Sequence, residues 1–213
     1  MEHRRKDDVL KNTPVLVTTR TLPNPSPSVS IVYPEVHLPH LPVVQHSLNT
    51  QIRNALNKLL LDQNYYDPNL VELVVYFEVK TNERNMLSLT LIAYSFTGGA
   101  HGMTVVVPLT FDTQTGKKYT LYDLLGSKEF EKPISDLIRK KIEQWNVELL
   151  DPPFTEIRRD QDFYLADTSI VFFFQLYEIT PYVWGFPYFP IALKDLEPLI
   201  PETSPLQRFL PFL

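Results

Sequence analysis

The chain has 213 residues and a formal net charge of −5. That length suits one large domain or two small lobes, and the charge argues against a nucleic-acid partner, which calls for clustered Lys and Arg. With no cysteine present, disulfides, thiolate metal sites and cysteine nucleophiles are excluded. The 19 prolines argue against a helical bundle, while 11 tyrosines and 13 phenylalanines favour β-rich packing. The start, Met1-Glu2-His3-Arg4-Arg5-Lys6-Asp7-Asp8, carries charge without a following apolar run. It does not read as a signal peptide, so a native Met1 implies a cytoplasmic protein. No stretch approaches the roughly 18 apolar residues of a membrane span.

In chain order, residues 1–12 read as a polar tail, and 15–19 and 29–33 as strands separated by the proline-punctuated Pro23-Asn24-Pro25-Ser26-Pro27. Pro34, Pro39 and Pro42 predict an extended loop over 34–44. A helix follows over 46–63, with Leu48, Ile52, Ala55, Leu56, Leu59 and Leu60 on one face. Strict alternation predicts a strand over 70–80, with Val71, Leu73, Val75, Phe77 and Val79 on one face. A loop at 81–85 leads to a returning strand at 86–96, apolar on both faces and therefore central. Gly98, Gly99 and Gly102 then turn the chain into a strand at 103–111. Asp112-Thr113-Gln114-Thr115-Gly116-Lys117 reads as the next turn.

A helical turn at 121–125 precedes a second long helix over 128–149, with Ser127 as its N-cap. Its predicted buried stripe is Ile134, Leu137, Ile138, Ile142, Trp145 and Leu149, and Asp151-Pro152-Pro153 should stop it. The basic run Arg139-Lys140-Lys141 reads as a solvated helix face. A hairpin joins 163–165 to 170–176. A final strand at 188–193 and a short helix at 194–199 follow. The apolar residues of the tail, among them Phe209, Leu210, Phe212 and Leu213, either dock on the body or meet a partner. The expected class is α+β, with antiparallel sheets, two long helices packed on them, and two sublobes. The expected division is an N-terminal tail and first strand (1–27), a sublobe over 28–112, a sublobe over 113–200, and a proline-rich apolar tail (201–213).

The order and spacing of several segments carry a resemblance. They are Asn49 within the first helix, Leu87-Ser88-Leu89, Gly98-Gly99-Ala100-His101-Gly102, and Phe111 to Lys117. Leu121-Tyr122-Asp123-Leu124-Leu125 and Tyr177-Glu178-Ile179-Thr180-Pro181-Tyr182-Val183-Trp184-Gly185 continue the pattern. Over roughly residues 28–200 the chain resembles the RsiV-like extracytoplasmic domain family, a two-part domain of unknown function also found in the peptidoglycan deacetylase PdaC. The resemblance implies a non-catalytic α+β module at the bacterial cell surface. In RsiV the module recognises lysozyme, a basic protein, and binding exposes the anti-sigma factor to proteolysis. No sigma-binding segment and membrane span fit before residue 28, and no deacetylase domain is present, so neither sigma-factor regulation nor sugar deacetylation carries over.

Two clusters are candidates for binding or for structure. The first is Gly98, Gly99, His101 and Gly102. Its histidine can bind a ligand or shuttle a proton, or can brace the turn by hydrogen-bonding the backbone. The glycines lack the residues of a phosphate loop or a dinucleotide fingerprint. The second cluster is Tyr177, Glu178, Pro181, Tyr182, Trp184 and Gly185. There Glu178 is either a buried acid or a structural partner at a strand end, and the rings are core or a protein- or glycan-binding surface. His37 and His40 lie in a loop without a carboxylate arrangement, a weak metal pattern. Asp112 and Asp123 sit in turn or cap contexts, and Ser95 and Ser169 have no identifiable base. No catalytic residue, cofactor or metal is expected. The reading is a binding module for a protein, a basic one such as lysozyme. A cell-wall glycan-binding accessory module and an enzyme of unrecognised type are the alternatives.

Overall fold

The computed structural model describes residues 14–24, 26–126 and 129–210. The chain divides into two compact units, one ending at Lys118 and one beginning at Tyr119. Ser127, the expected N-cap, and Phe212 and Leu213 of the tail lie outside the described residues, as does the polar tail over 1–12.

The first unit contains β1 (Leu16–Thr21), β2 (Val29–His37), α1 (Pro42–Asp62), β3 (Glu72–Glu83), β4 (Met86–Phe96) and β5 (Met103–Asp112), with the strands in spatial order β1-β2-β3-β4-β5. The class is α+β as expected, but this sheet is mixed rather than wholly antiparallel, because β2 and β3 run parallel. The physical reason is α1: a helix between two strands returns the chain to the end where the first strand began. The expected loop over 34–44 is also replaced by structure. β2 runs through Pro34 to His37, and α1 starts at Pro42. Pro42 fits the first helical turn, whose N–H groups lack intrahelical partners in any case.

β2 changes partner midway. Val29–Ile31 pair with Leu73–Val75 of β3, whereas Val32–His37 pair with β1. Beyond Ile31 the strand therefore leaves β3, and its backbone needs other partners. Asn49 of α1 supplies them: its side chain accepts from Val36 N–H and donates to Val36 C=O, both at 2.8 Å. Asn82 of β3 does the same for Val15, at 2.9 and 2.8 Å, and Gln45 accepts from Leu38 N–H at 2.6 Å. Three amide side chains thus stand in for a neighbouring strand.

The apolar stripe of α1, with Leu48, Ile52, Leu56, Leu59 and Leu60 buried, packs on β2, β4 and β5. Leu87, Leu89, Leu91, Ala93, Leu109 and Phe111 share that core. The helix stops at Asn64, which takes a left-handed φ of 58°. Asn64 N–H reaches Leu61 C=O and Tyr65 N–H reaches Leu60 C=O, the paired bonds of a Schellman end. The expected loop at 81–85 contracts to a two-residue turn. Glu83 pairs with Met86, while Arg84 and Asn85 both have positive φ, the geometry whose twist matches the flanking strands. A bulge lies between Val79 and Thr81; Val79 before it is exposed and Thr81 after it is buried.

The second unit contains α2 (Leu121–Leu125), α3 (Glu131–Gln144), β6 (Phe163–Ala166), β7 (Ser169–Phe173), β8 (Tyr188–Ala192) and α4 (Leu193–Leu196), the strands forming an antiparallel sheet β6-β7-β8. Phe163, Leu165, Ile170, Phe172, Phe189 and Ile191 share its buried face. α3 packs against β8 and buries Ile134, Ile138 and Ile142. α3 is shorter than the expected 128–149. Asn146 takes φ 51°, Asn146 N–H reaches Glu143 C=O and Val147 N–H reaches Ile142 C=O, so a second Schellman end stops the helix before Pro152. Trp145, expected in the buried stripe, is the C-cap and is 42% exposed. One face of its ring stacks on Phe189 at 5.8 Å, and Lys141 Nζ lies 5.1 Å from its centroid. Leu149 lies beyond the helix. The tail docks on its own unit over the described residues: Leu206 and Phe209 are buried, and Ser204 Oγ donates to Leu124 C=O at 2.6 Å.

Candidate functional site

The glycine turn connects β4 to β5, and its three glycines serve two different needs. Gly98 and Gly99 have φ of 95° and 106°, and an added Cβ would meet nothing within 4 Å at either. Their requirement is the left-handed backbone alone. Gly102 is the reverse case, since a Cβ there would lie 2.3 Å from the Tyr94 ring and 2.6 Å from Ser95 C=O. It is glycine because another part of the chain comes too close. His101 is exposed, and its Nδ1 lies 2.8 Å from Gly102 C=O. A carbonyl only accepts, so this contact calls for Nδ1–H as donor. Tyr177 and Glu178 belong to the second unit and His101 to the first.

His37 and His40 face a different neighbourhood. His37 Nε2 lies 2.8 Å from Thr18 Oγ1 and 3.4 Å from Glu35 Oε2, whereas His40 is exposed. No group of three or more His, Asp or Glu able to hold a metal ion occurs among the described residues. Asp112 shapes its turn, its Oδ1 accepting from Gln114 and Thr115 N–H at 2.9 Å each. Asp123 closes the capping box of α2 with Thr120.

The second cluster is one continuous turn after β7. Glu178 N–H donates to Gln175 C=O at 3.1 Å, and Glu178 Oε2 accepts from Gln175 N–H at 2.7 Å. Its other oxygen pairs with the Arg158 guanidinium. Gln175 Nε2 donates to Asp162 Oδ2 at 2.8 Å. Burial pushes the Asp162 carboxyl above its ordinary value, and the Gln175 bond opposes that shift. Between these polar ties Tyr177 adopts φ 64°, a region that costs a side-chain-bearing residue about 1–2 kcal/mol.

Beyond Glu178, Tyr182–Trp184 form a single turn of 3-10 helix. Trp184 N–H reaches Pro181 C=O at 3.0 Å, and Gly185 N–H reaches Tyr182 C=O at 2.9 Å. Gly185 ends the turn with φ 68°. None of the three residues of the turn is buried: Val183 is 86% and Trp184 40% exposed. Tyr177, 45% exposed, sets its ring 5.5 Å from that of Tyr182. The Trp184 indole N–H points to Glu148 Oε2 at 3.4 Å. The remaining aromatics divide: Phe189 is core, while Tyr188 is part-exposed and close to Tyr164, Phe173 and Phe186. The arrangement presents rigid apolar rings beside a carboxylate, which suits recognition by contact.

Sequence reasoning did not find the Glu148–Trp184 contact or the amide side chains that replace a strand. Asn49 reads in the sequence as part of the polar side of the helix with Arg53, Asn57 and Lys58, but the structure buries it beside Leu48 and Ile52, where a polar residue needs a partner.

Residues 122–194 match the family model described as a protein of unknown function, DUF3298, and residues 24–104 match the model described as deacetylase PdaC. No curated protein matches the chain. Solved structures that share its fold include two DUF3298-family proteins. A DUF3298-family protein from Bacteroides fragilis is 17% identical, with a TM-score of 0.63 over 91% of this chain and 96% of that one. One from Pseudomonas aeruginosa is also 17% identical, with a TM-score of 0.62 over 91% and 97%.

Proposed function

Starting from a chain that joins a part like PdaC to a part like DUF3298, a two-part domain of unknown function, we propose that it is a non-catalytic binding module whose ligand is a basic protein. The observation that carries this reading is the exposed turn Tyr182-Val183-Trp184 with Glu148 beside its indole. Aromatic anchors held on a hydrogen-bonded turn lose little side-chain freedom on binding and dominate contact energies. The net charge of −5 favours a cationic partner by long-range steering.

The test is a calorimetric titration with lysozyme, a basic protein, at low and moderate salt. The expected result is saturable 1:1 binding that weakens with salt. Trp184→Ala should cost about 2 kcal/mol of binding energy, roughly 30-fold, as for a central aromatic anchor. No heat at tens of micromolar protein would sink recognition of lysozyme. The tilted Tyr177–Tyr182 ring pair favours a second reading, a cell-wall glycan stacked on exposed rings. Muropeptides in the same calorimeter separate the two.

A further inference from the structure

The first unit carries a candidate surface of its own. β1 is a terminal strand of its sheet, and among the described residues no strand pairs with its outer edge. Its sequence, Leu16-Val17-Thr18-Thr19-Arg20-Thr21, has no proline, glycine, lysine or acidic residue, the devices that blunt an edge. The other terminal strand, β5, holds Pro108. Arg20, the one charge on β1, is paired with Glu35, whose Oε2 lies 2.7 Å from Arg20 Nε.

A cavity of about 590 Å3 opens where β1 begins. Its apolar wall is Pro14, Val15, Leu16, Leu38, Pro39 and Pro42. The polar residues at its border are largely committed to the fold. Gln45 accepts from Leu38 N–H at 2.6 Å, Gln114 Nε2 donates to Asn85 Oδ1 at 3.2 Å, and His37 Nε2 lies at Thr18 Oγ1. Leu16 is both part of the strand and part of the wall, and it is 62% exposed.

We propose that an extended, uncharged segment of a partner protein adds to the β1 edge as a further strand and seats an apolar side chain in this cavity. The Asn82 side chain already answers the main chain of Val15, so the open part of the edge begins beyond it, and there another extended main chain can pair with the alternating N–H and C=O groups. In that mode the main chain supplies affinity and a pocket for an alternate side chain supplies selectivity. The apolar wall selects an apolar residue, and the one charge of the edge, Arg20, is already paired with Glu35, so an uncharged segment meets it without competing for that partner.

The test selects random octapeptides displayed on phage against the full chain. The best one is then synthesised, both unmodified and N-methylated at one residue at a time, and titrated by fluorescence anisotropy. The expected peptide is uncharged and binds 1:1. N-methylation should weaken it at least tenfold at every second position, the period of a strand. His40→Trp, an exposed site at the cavity border, should weaken it at least tenfold, while Trp184→Ala in the second unit should leave it unchanged. The proposal is overturned if no peptide is enriched, if N-methylation has no two-residue period, or if Trp184→Ala rather than His40→Trp abolishes binding. Sedimentation showing a dimer of this chain that Thr19→Pro dissolves would overturn it too, since a second copy would then be the occupant.

Discussion

The turns at 97–102 and 175–185 reach left-handed backbone by opposite routes. At Gly98 and Gly99 the conformation is free of steric cost because no Cβ is present. At Tyr177 a full aromatic side chain occupies the same region, and polar ties from Glu178 to Gln175 and Arg158 surround it. The first turn needs little from its neighbours except at Gly102. The second relies on a side-chain network and in return displays rings to solvent. The first turn has mainly small residues where the second keeps Tyr177, Val183 and Trp184 partly or largely exposed.

Substitutions should separate these two designs. The largest effect is expected for Gly102→Ala, whose Cβ would press on the Tyr94 ring and on Ser95 backbone. Overpacking of this kind should cost about 3 kcal/mol, read as a lowered midpoint in urea. Gly98→Ala and Gly99→Ala meet no atoms and should cost only the φ penalty, about 1–2 kcal/mol each. If all three alanine variants were equal, close approach at Gly102 would not be the distinguishing feature. Glu178→Ala removes the acceptor for Gln175 N–H and should cost about 1 kcal/mol. It should also raise the amide exchange rate of Gln175.

The smallest effect is expected at Asp162. Burial raises its folded pKa above the unfolded value, which is about 3.9 for an ordinary Asp. The folded protein then holds the proton more tightly, so stability from this group is complete below about pH 3.9 and is lost as pH rises through the raised folded value. Asp162→Asn should therefore be slightly more stable than the parent near neutrality, by less than about 1 kcal/mol. That advantage should vanish on acidification, in denaturation curves taken at both ends of the range. An advantage that grew on acidification would contradict the sign.

The strands and helices were legible wherever side-chain period reports burial directly. The three-strand meander from β3 to β5 and the hairpin from β6 to β7 follow from alternation and turn residues. The helix ends were less legible, because Asn64 and Asn146 stop α1 and α3 in the left-handed region and asparagine marks such a stop more weakly than glycine. Trp145 fitted the helical period, but the backbone leaves the helix there, so its indole packs on Phe189 while the residue stays 42% exposed. The parallel pairing of β2 with β3 depends on which strand a helix returns to, and periodicity carries no such information. At the candidate site, the residues of the 177–185 segment were legible as a group, while their exposure was not. The same pattern of rings serves a core or a surface, and the Glu148 contact joins residues 36 positions apart.

Asn49 ties the docking of α1 to the path of β2. If the helix lifts, Val36 loses both main-chain partners at once, and the far half of β2 has β3 no longer within its ladder to fall back on. Helix and strand end therefore open together as one cooperative segment, and amide exchange at Val36 reports on a helix to which it does not belong.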